Sequence, residues 1–139
     1  MADEATSITL LGNRGDPIEI TIADGAAIPK HTLMQITSSP QTCTATSGAN
    51  QKFIGILTHE KVLSDGIVKA SVYTHCIADL TCGAGETMVL GAPVITGAAA
   101  NEVDVAATST VEAPIVGIAL ETVGNNGTGA VLINVGKQY

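Results

Sequence analysis

Aromatic side chains are almost missing from this sequence: it has no Trp, and Phe53, Tyr73 and Tyr139 are its only aromatic residues. Since one buried aromatic removes roughly 150–250 Å² from water, the core must be built from Ala, Val, Ile and Leu and carries less apolar area per residue. The same scarcity argues against single-strand nucleic acid, which needs stacking platforms, and against sugar recognition. Basic residues are also few, six Lys and Arg against thirteen Asp and Glu for a net charge of −7. A phosphate backbone requires the opposite balance, so nucleic acid is not an expected partner. No stretch is long and apolar enough for a membrane helix. The nearest, Met88 to Ala100, is broken by Gly91, Pro93, Thr96 and Gly97 and falls short of the roughly 20 residues needed. The start, MADEATSITLL, lacks a basic segment followed by an apolar block. The odd set Cys43, Cys76 and Cys82 cannot pair completely within one chain. Together they lead us to expect no secretory signal and a reducing cytoplasm.

Against these absences stands a positive mean hydropathy, with 45% of the 139 residues apolar. A chain with no membrane span and so much aliphatic surface is expected to cover part of it with other chains. The length suits one domain that buries a core without staples.

The clearest organising stretch is Pro114 to Gly136. The runs PIVGIALET and AVLINVG flank VGNNGTG, and Asn126-Gly127 accepts the positive φ of a hairpin turn. FIGILTHEKVLSDGIVKASVYT, beginning at Phe53, echoes it, with Gly55 in the place of Gly117 and a turn at Asp65-Gly66. This predicts two related hairpins in the core. Ile18, Ile20 and Ile22 alternate with Glu19 and Thr21, the period of a strand with one wet face. Strands are further expected over about 32–37, 53–57 and 67–73, through THCIADL, and near Met88 to Ile95. Ala98 to Thr110 offers at most a short exposed strand around Glu102 to Val105. Ser38 to Gln51, rich in Ser, Thr and Pro, reads as a surface loop. No sustained 3.6-residue period appears. The expected fold is therefore all-β, a small β-barrel or β-sandwich built from hairpins, with short helical turns at most. A flexible N-terminal arm, residues 1–16, precedes a β-rich domain, residues 17–139.

Few residues suggest chemistry. His75, Cys76 and Cys82 match no paired metal-ligand spacing, and neighbours in a strand face opposite ways. Buried thiols account for them better than a metal or a nucleophile. Neither a metal, a cofactor nor an enzymatic activity is expected. Glu60-Lys61 and Glu121 follow the two core strands at related places. The second suggests the lysine-bearing hairpin of lipoyl and biotinyl carrier domains, but Val123 and Gly124 stand where the lysine is needed. GNNGTG lacks the Lys-Ser/Thr and helix of a phosphate cradle. Arg14-Gly15-Asp16 reads as a polar turn before a strand. Asn126-Gly127-Thr128 is formally a glycosylation acceptor, which matters only in a secreted chain.

ADGAAIPKHTLMQIT, FIGILTHEKVLSDGIVKASVYTHCIADLT, GAPVITGAA and IVGIALETVGNNGTGAVLINVG, in that order from about Ile22 to Gly136, resemble the motifs of head decoration, or capsid cement, proteins of tailed viruses. His31 departs from the glycine expected in the first motif. The resemblance implies a β-rich, commonly trimeric, non-enzymatic subunit made in the host cytoplasm. Such a subunit sits on the outer surface of an icosahedral virion, binds the major capsid protein and bridges capsomers. In that role the arm residues Thr6, Ser7, Ile8, Thr9, Leu10 and Leu11 are candidates for strand addition to a capsid sheet edge. They serve equally as the first strand of the protein's own barrel. The alternative function is a non-viral surface or carbohydrate-binding β-sandwich.

Overall fold

The computed structural model describes residues 12–13, 16–49, 51–106 and 115–135, and the described residues form strands and turns without a helix. In chain order the strands are β1 (Gly12–Asn13), β2 (Ile18–Ile22), β3 (Leu33–Ile36), β4 (Thr42–Ala45), β5 (Phe53–Leu57) and β6 (Lys69–Tyr73). They continue with β7 (His75–Cys82), β8 (Pro93–Thr96), β9 (Glu102–Val105), β10 (Gly117–Ala119) and β11 (Thr128–Asn134). Strict alternation sets the longest of them. In β7, Cys76, Ala78, Leu80 and Cys82 turn inward, and in β11 Gly129, Val131 and Ile133 do the same, as the two-residue period of a pleated strand requires.

These strands close into two small barrels. In the first, β2 pairs antiparallel with β6, β6 with β5, β5 with β3 and β3 with β4, and β4 returns parallel to β2. The second repeats this circuit as β7, β11, β10, β8 and β9, closed by the parallel β7–β9 pair. The registers coincide as well. Thr21–Thr42 and Ile22–Cys43 of the first closure recur 60 positions later as Thr81–Glu102 and Cys82–Val103. Met34–Gly55 becomes Val94–Gly117, and Leu57–Val72 becomes Ala119–Val131. Even the isolated bridge Ile28–Lys61 has its counterpart in Met88–Val123. The molecule is a tandem repeat, of which the expected hairpin echo is the final third of each unit.

The repeat survives where backbone geometry demands it. Residues 31, 41 and 64 have positive φ (His31 65°, Gln41 52°, Ser64 54°), and so do their counterparts Gly91 (82°), Asn101 (61°) and Asn126 (59°). The position of the unexpected His31 is thus one where glycine is the least strained residue. Gly55 and Gly117 mark the closest strand approach, where a Cβ would fall on the carbonyl oxygens of Tyr73 and Leu132 respectively.

Ser38 to Gln51 is not a plain loop, because β4 lies within it. Its side chains are mostly small and polar, and only Cys43 is fully buried. What makes it a strand is pairing on both sides, with β3 and with the distant β2. Residues 17–139, expected as one β-rich domain, contain both barrels. Ile20, Ile22, Met34, Leu57 and Val72 fill the first. The second core, around Leu80, Met88, Val94, Val103 and Ile133, also takes in Leu33, Phe53 and Ile56 from the first barrel. Leu33 N–H donates to Asn101 Oδ1 (2.9 Å), and Gln51 N–H donates to Thr96 Oγ1 (2.8 Å). With only Thr74 between β6 and β7, the barrels are closely joined.

Candidate interaction surfaces

The site residues expected from sequence fare differently. Thr6, Ser7, Ile8, Thr9, Leu10 and Leu11, like Arg14 and Gly15, lie outside the described residues. The next two residues, Gly12 and Asn13, pair antiparallel with Ile77 and Cys76 of β7. Among the described residues the first barrel has no matching strand there. Pro17, at the position of Ile77, lacks the N–H such a strand would bond.

Cys43, Cys76 and Cys82 are free and buried. Burial pushes the Cys43 and Cys76 thiols up to about 11. It also raises Cys82, helped by the charges of Asp104, Glu86 and Glu102. Such thiols remain protonated and serve as small core residues. Among the described residues no group of three or more His, Cys, Asp and Glu is arranged to hold a metal ion.

Lys61 carries the most developed polar arrangement. Its side chain is 3% exposed, and Nζ donates to Asp24 Oδ1 (2.9 Å), Asp65 Oδ1 (2.5 Å) and the Val62 carbonyl (2.5 Å). All three ammonium protons are therefore used. Burial pulls the ammonium pKa down, but the two aspartates outweigh it and hold it above its ordinary value. Asp65 is held below the usual carboxylate range, first by the Lys61 hydrogen bond and then by the Ile67 N–H. A lysine so engaged is not displayed as a carrier lysine would be. In the second barrel the same three positions are Ala84, Val123 and Gly127.

This ion cluster fixes a loop that departs from its counterpart. Between Lys61 and β6 the first barrel has three residues more than the second has between Val123 and β11. Asp24 Oδ1 accepts from Gly66 N–H, and Asp65 Oδ1 from Ile67 N–H. On this fixed loop Val62, Leu63, Ile67 and Val68 stand 49–57% exposed. The neighbouring cleft, of ≈ 170 Å³ and bordered by His59, Glu60, Lys61, Asp65, Ile67 and Lys69, is smaller than the roughly 300–1,000 Å³ typical of small-molecule sites. The loop is better suited to a surface contact than to enclosing a ligand.

A second apolar patch lies on the other barrel. Val89, Leu90 and Leu120 are 48%, 63% and 40% exposed. They are held together by Leu90 N–H donating to Thr122 Oγ1 (3.1 Å) and Gly91 N–H donating to the Ala119 carbonyl (2.8 Å). Their counterparts in the first barrel are Pro29, Lys30 and Thr58. The halves also differ in charge. Lys30, Lys52, Lys61 and Lys69 all belong to the first barrel, whereas His75 to Val135 contains no Lys or Arg and includes Asp79, Glu86, Glu102, Asp104, Glu112 and Glu121. Asp104 is raised above its ordinary value by burial and then by Glu86 and Glu102. Neither the apolar patches nor this polarity was recognised from sequence. The run from Ala70 to Gly136, without a Lys or Arg, was the available signal.

Compared with protein-family models and with curated proteins, the chain matches none.

Proposed function

We propose that this protein decorates the outer surface of an icosahedral viral head and stabilises it against the pressure of packaged genome by bridging capsomers. The observation that supports this reading is a body of two closed, closely joined barrels that displays apolar loops. The motifs resembling decoration proteins form the turns and strands of that repeated body. Contacts between shell subunits are individually modest. A subunit bound to several capsomers must lose all its contacts before they separate, and linking weak contacts in one body raises avidity by roughly 10²–10⁴-fold.

The pairing of Gly12 and Asn13 with β7 of the same chain favours a structural role for the run that precedes them. Deleting Met1 to Leu11 tests this: an unfolded product supports that role, and a folded protein that no longer binds shells supports capture of a capsid edge. The reading as a whole is tested by sedimenting the full chain with mature heads prepared without it. Saturable co-sedimentation at a stoichiometry fixed by the lattice is expected, and a protein left in the supernatant at micromolar concentration overturns it.

A further inference from the structure

The joint between the barrels is made by one row of side chains on the outside of the first. Leu33 pairs with Ile56, and Ile56 with Tyr73, across β3, β5 and β6. Their neighbours Met34, Leu57 and Val72 fill the first core, so alternation turns the row outward. There it packs into the second core, with Leu33 and Ile56 completely buried. The repeat places the same row on the second barrel as Pro93, Ile118 and Leu132, joined by the pairs Ile118–Pro93 and Ile118–Leu132, and Ile77 of β7 extends it beside Leu132. Their neighbours Val94, Ala119, Val131 and Ala78 face the second core, whereas the four row residues are partly exposed. Two positions after Ile118, the exposed Leu120 lies on the same outer face. An apolar row that the first barrel uses to bind a protein surface thus stands open on the second.

Two observations bear on what it meets. At the joint, Leu33 N–H donates to Asn101 Oδ1 (2.9 Å). Pro93, in the place of Leu33, has no N–H to donate, and the place of Asn101 in the first barrel is taken by the exposed Gln41. The joint is therefore not reproduced between the second barrel of one copy and the first barrel of another. The second observation is charge. Asp79 pairs with Ala130, whose carbonyl accepts from Leu120 N–H (2.9 Å), and so borders the row on its outer face. The exposed Glu121 follows Leu120, and the run from Ala70 to Gly136 has no Lys or Arg. An apolar centre with an acidic margin is complemented by an apolar patch with a basic margin.

We infer that the Pro93–Ile118–Leu132–Ile77 row, together with Leu120, docks on a partner protein whose surface is apolar at its centre and basic at its margin. The inference rests on the decoration reading, which supplies the partner: the row is the face of the second barrel that meets the shell protein. Because the row is carried by paired strands of a closed barrel, it needs little ordering on binding. The carboxylates at its margin add attraction and orientation, which salt weakens.

The test is co-sedimentation of the full chain and of three variants, Leu132→Glu, Leu120→Glu and Glu121→Lys, with mature heads prepared without this protein. All three side chains point outward, so unchanged circular dichroism and melting are expected. Ile118→Glu replaces either apolar-site variant that fails to fold. Leu132→Glu and Leu120→Glu are each expected to weaken binding at least roughly 30-fold. Glu121→Lys is expected to weaken it several-fold at low salt and less at high salt. Row variants that bind as tightly as the wild type overturn the inference and leave the decoration reading standing, whereas a wild type left in the supernatant overturns both. Tighter binding by Glu121→Lys overturns the basic margin assigned to the partner. The same proteins are sedimented without heads: a wild-type oligomer that the row variants reduce to monomers makes a second copy the occupant and overturns the inference as well.

Discussion

The two barrels share strand order, registers and left-handed turn positions, yet they solve one local problem in opposite ways. Where the β2–β3 turn meets the loop after β5, the first barrel buries Lys61 between Asp24 and Asp65, while the second places Ala84, Val123 and Gly127. The second barrel shows that the fold does not need the ion cluster. A buried ion pair is weak support for stability, and here its hydrogen bonds to Val62, Gly66 and Ile67 tie down an exposed apolar loop. The difference therefore separates the scaffold, common to both halves, from what each half presents.

The largest effect is expected where the halves agree. Gly55→Ala and Gly117→Ala each drive a Cβ into a strand carbonyl, and at Gly55 a φ of +140° adds backbone strain. Each should cost about 3 kcal/mol or more in denaturant unfolding. Near-neutral behaviour at either position would break the proposed equivalence.

The next contrast concerns the ion cluster. Lys61→Val alone leaves two aspartates facing a buried site and should lower the melting temperature clearly. Combined with Asp24→Ala and Asp65→Gly, which copy the second barrel, it should restore most of the loss. A triple variant no better than Lys61→Val would mean that the cluster supports the barrel itself.

Acid should affect the halves with opposite signs. The folded pKa of Asp65 is depressed, so its contribution is present above the unfolded value of about 3.9 and is lost as pH falls through the folded one. The raised Asp104 opposes folding when ionised, and that penalty is relieved on acidification through its folded pKa. Lys61, raised above its ordinary value, contributes below about pH 10.4 and loses that contribution as pH rises through its folded pKa. Melting curves of Asp65→Asn and Asp104→Asn should therefore shift with opposite slopes as the pH is lowered to about 3.

The smallest effect is expected at Gly91. A Cβ there meets no atom within 4 Å but must adopt a φ of +82°, so Gly91→Ala should cost about 1 kcal/mol. His31 already occupies the corresponding position at 65°.

These positions also show what the sequence made legible. Alternation identified β2, and the Asn126-Gly127 turn identified the last hairpin, because those signals are local. β4 was missed because its pairing with β2 spans some twenty residues and its side chains are small. The repeat was seen only in the hairpins, since elsewhere the halves share conformation more than residue type: His31 with Gly91 and Gln41 with Asn101 agree in positive φ, and in little that a composition reading weighs. The apolar patches were invisible because an exposed Leu63 and a buried Leu57 look alike until the barrel closes.

The central claim, that a rigid body made of two barrels holds a viral shell together, is tested most directly by osmotic shock of genome-filled heads carrying or lacking this protein. The account predicts that heads saturated with it survive a shock that bursts most undecorated heads. Equal survival at full occupancy would contradict it.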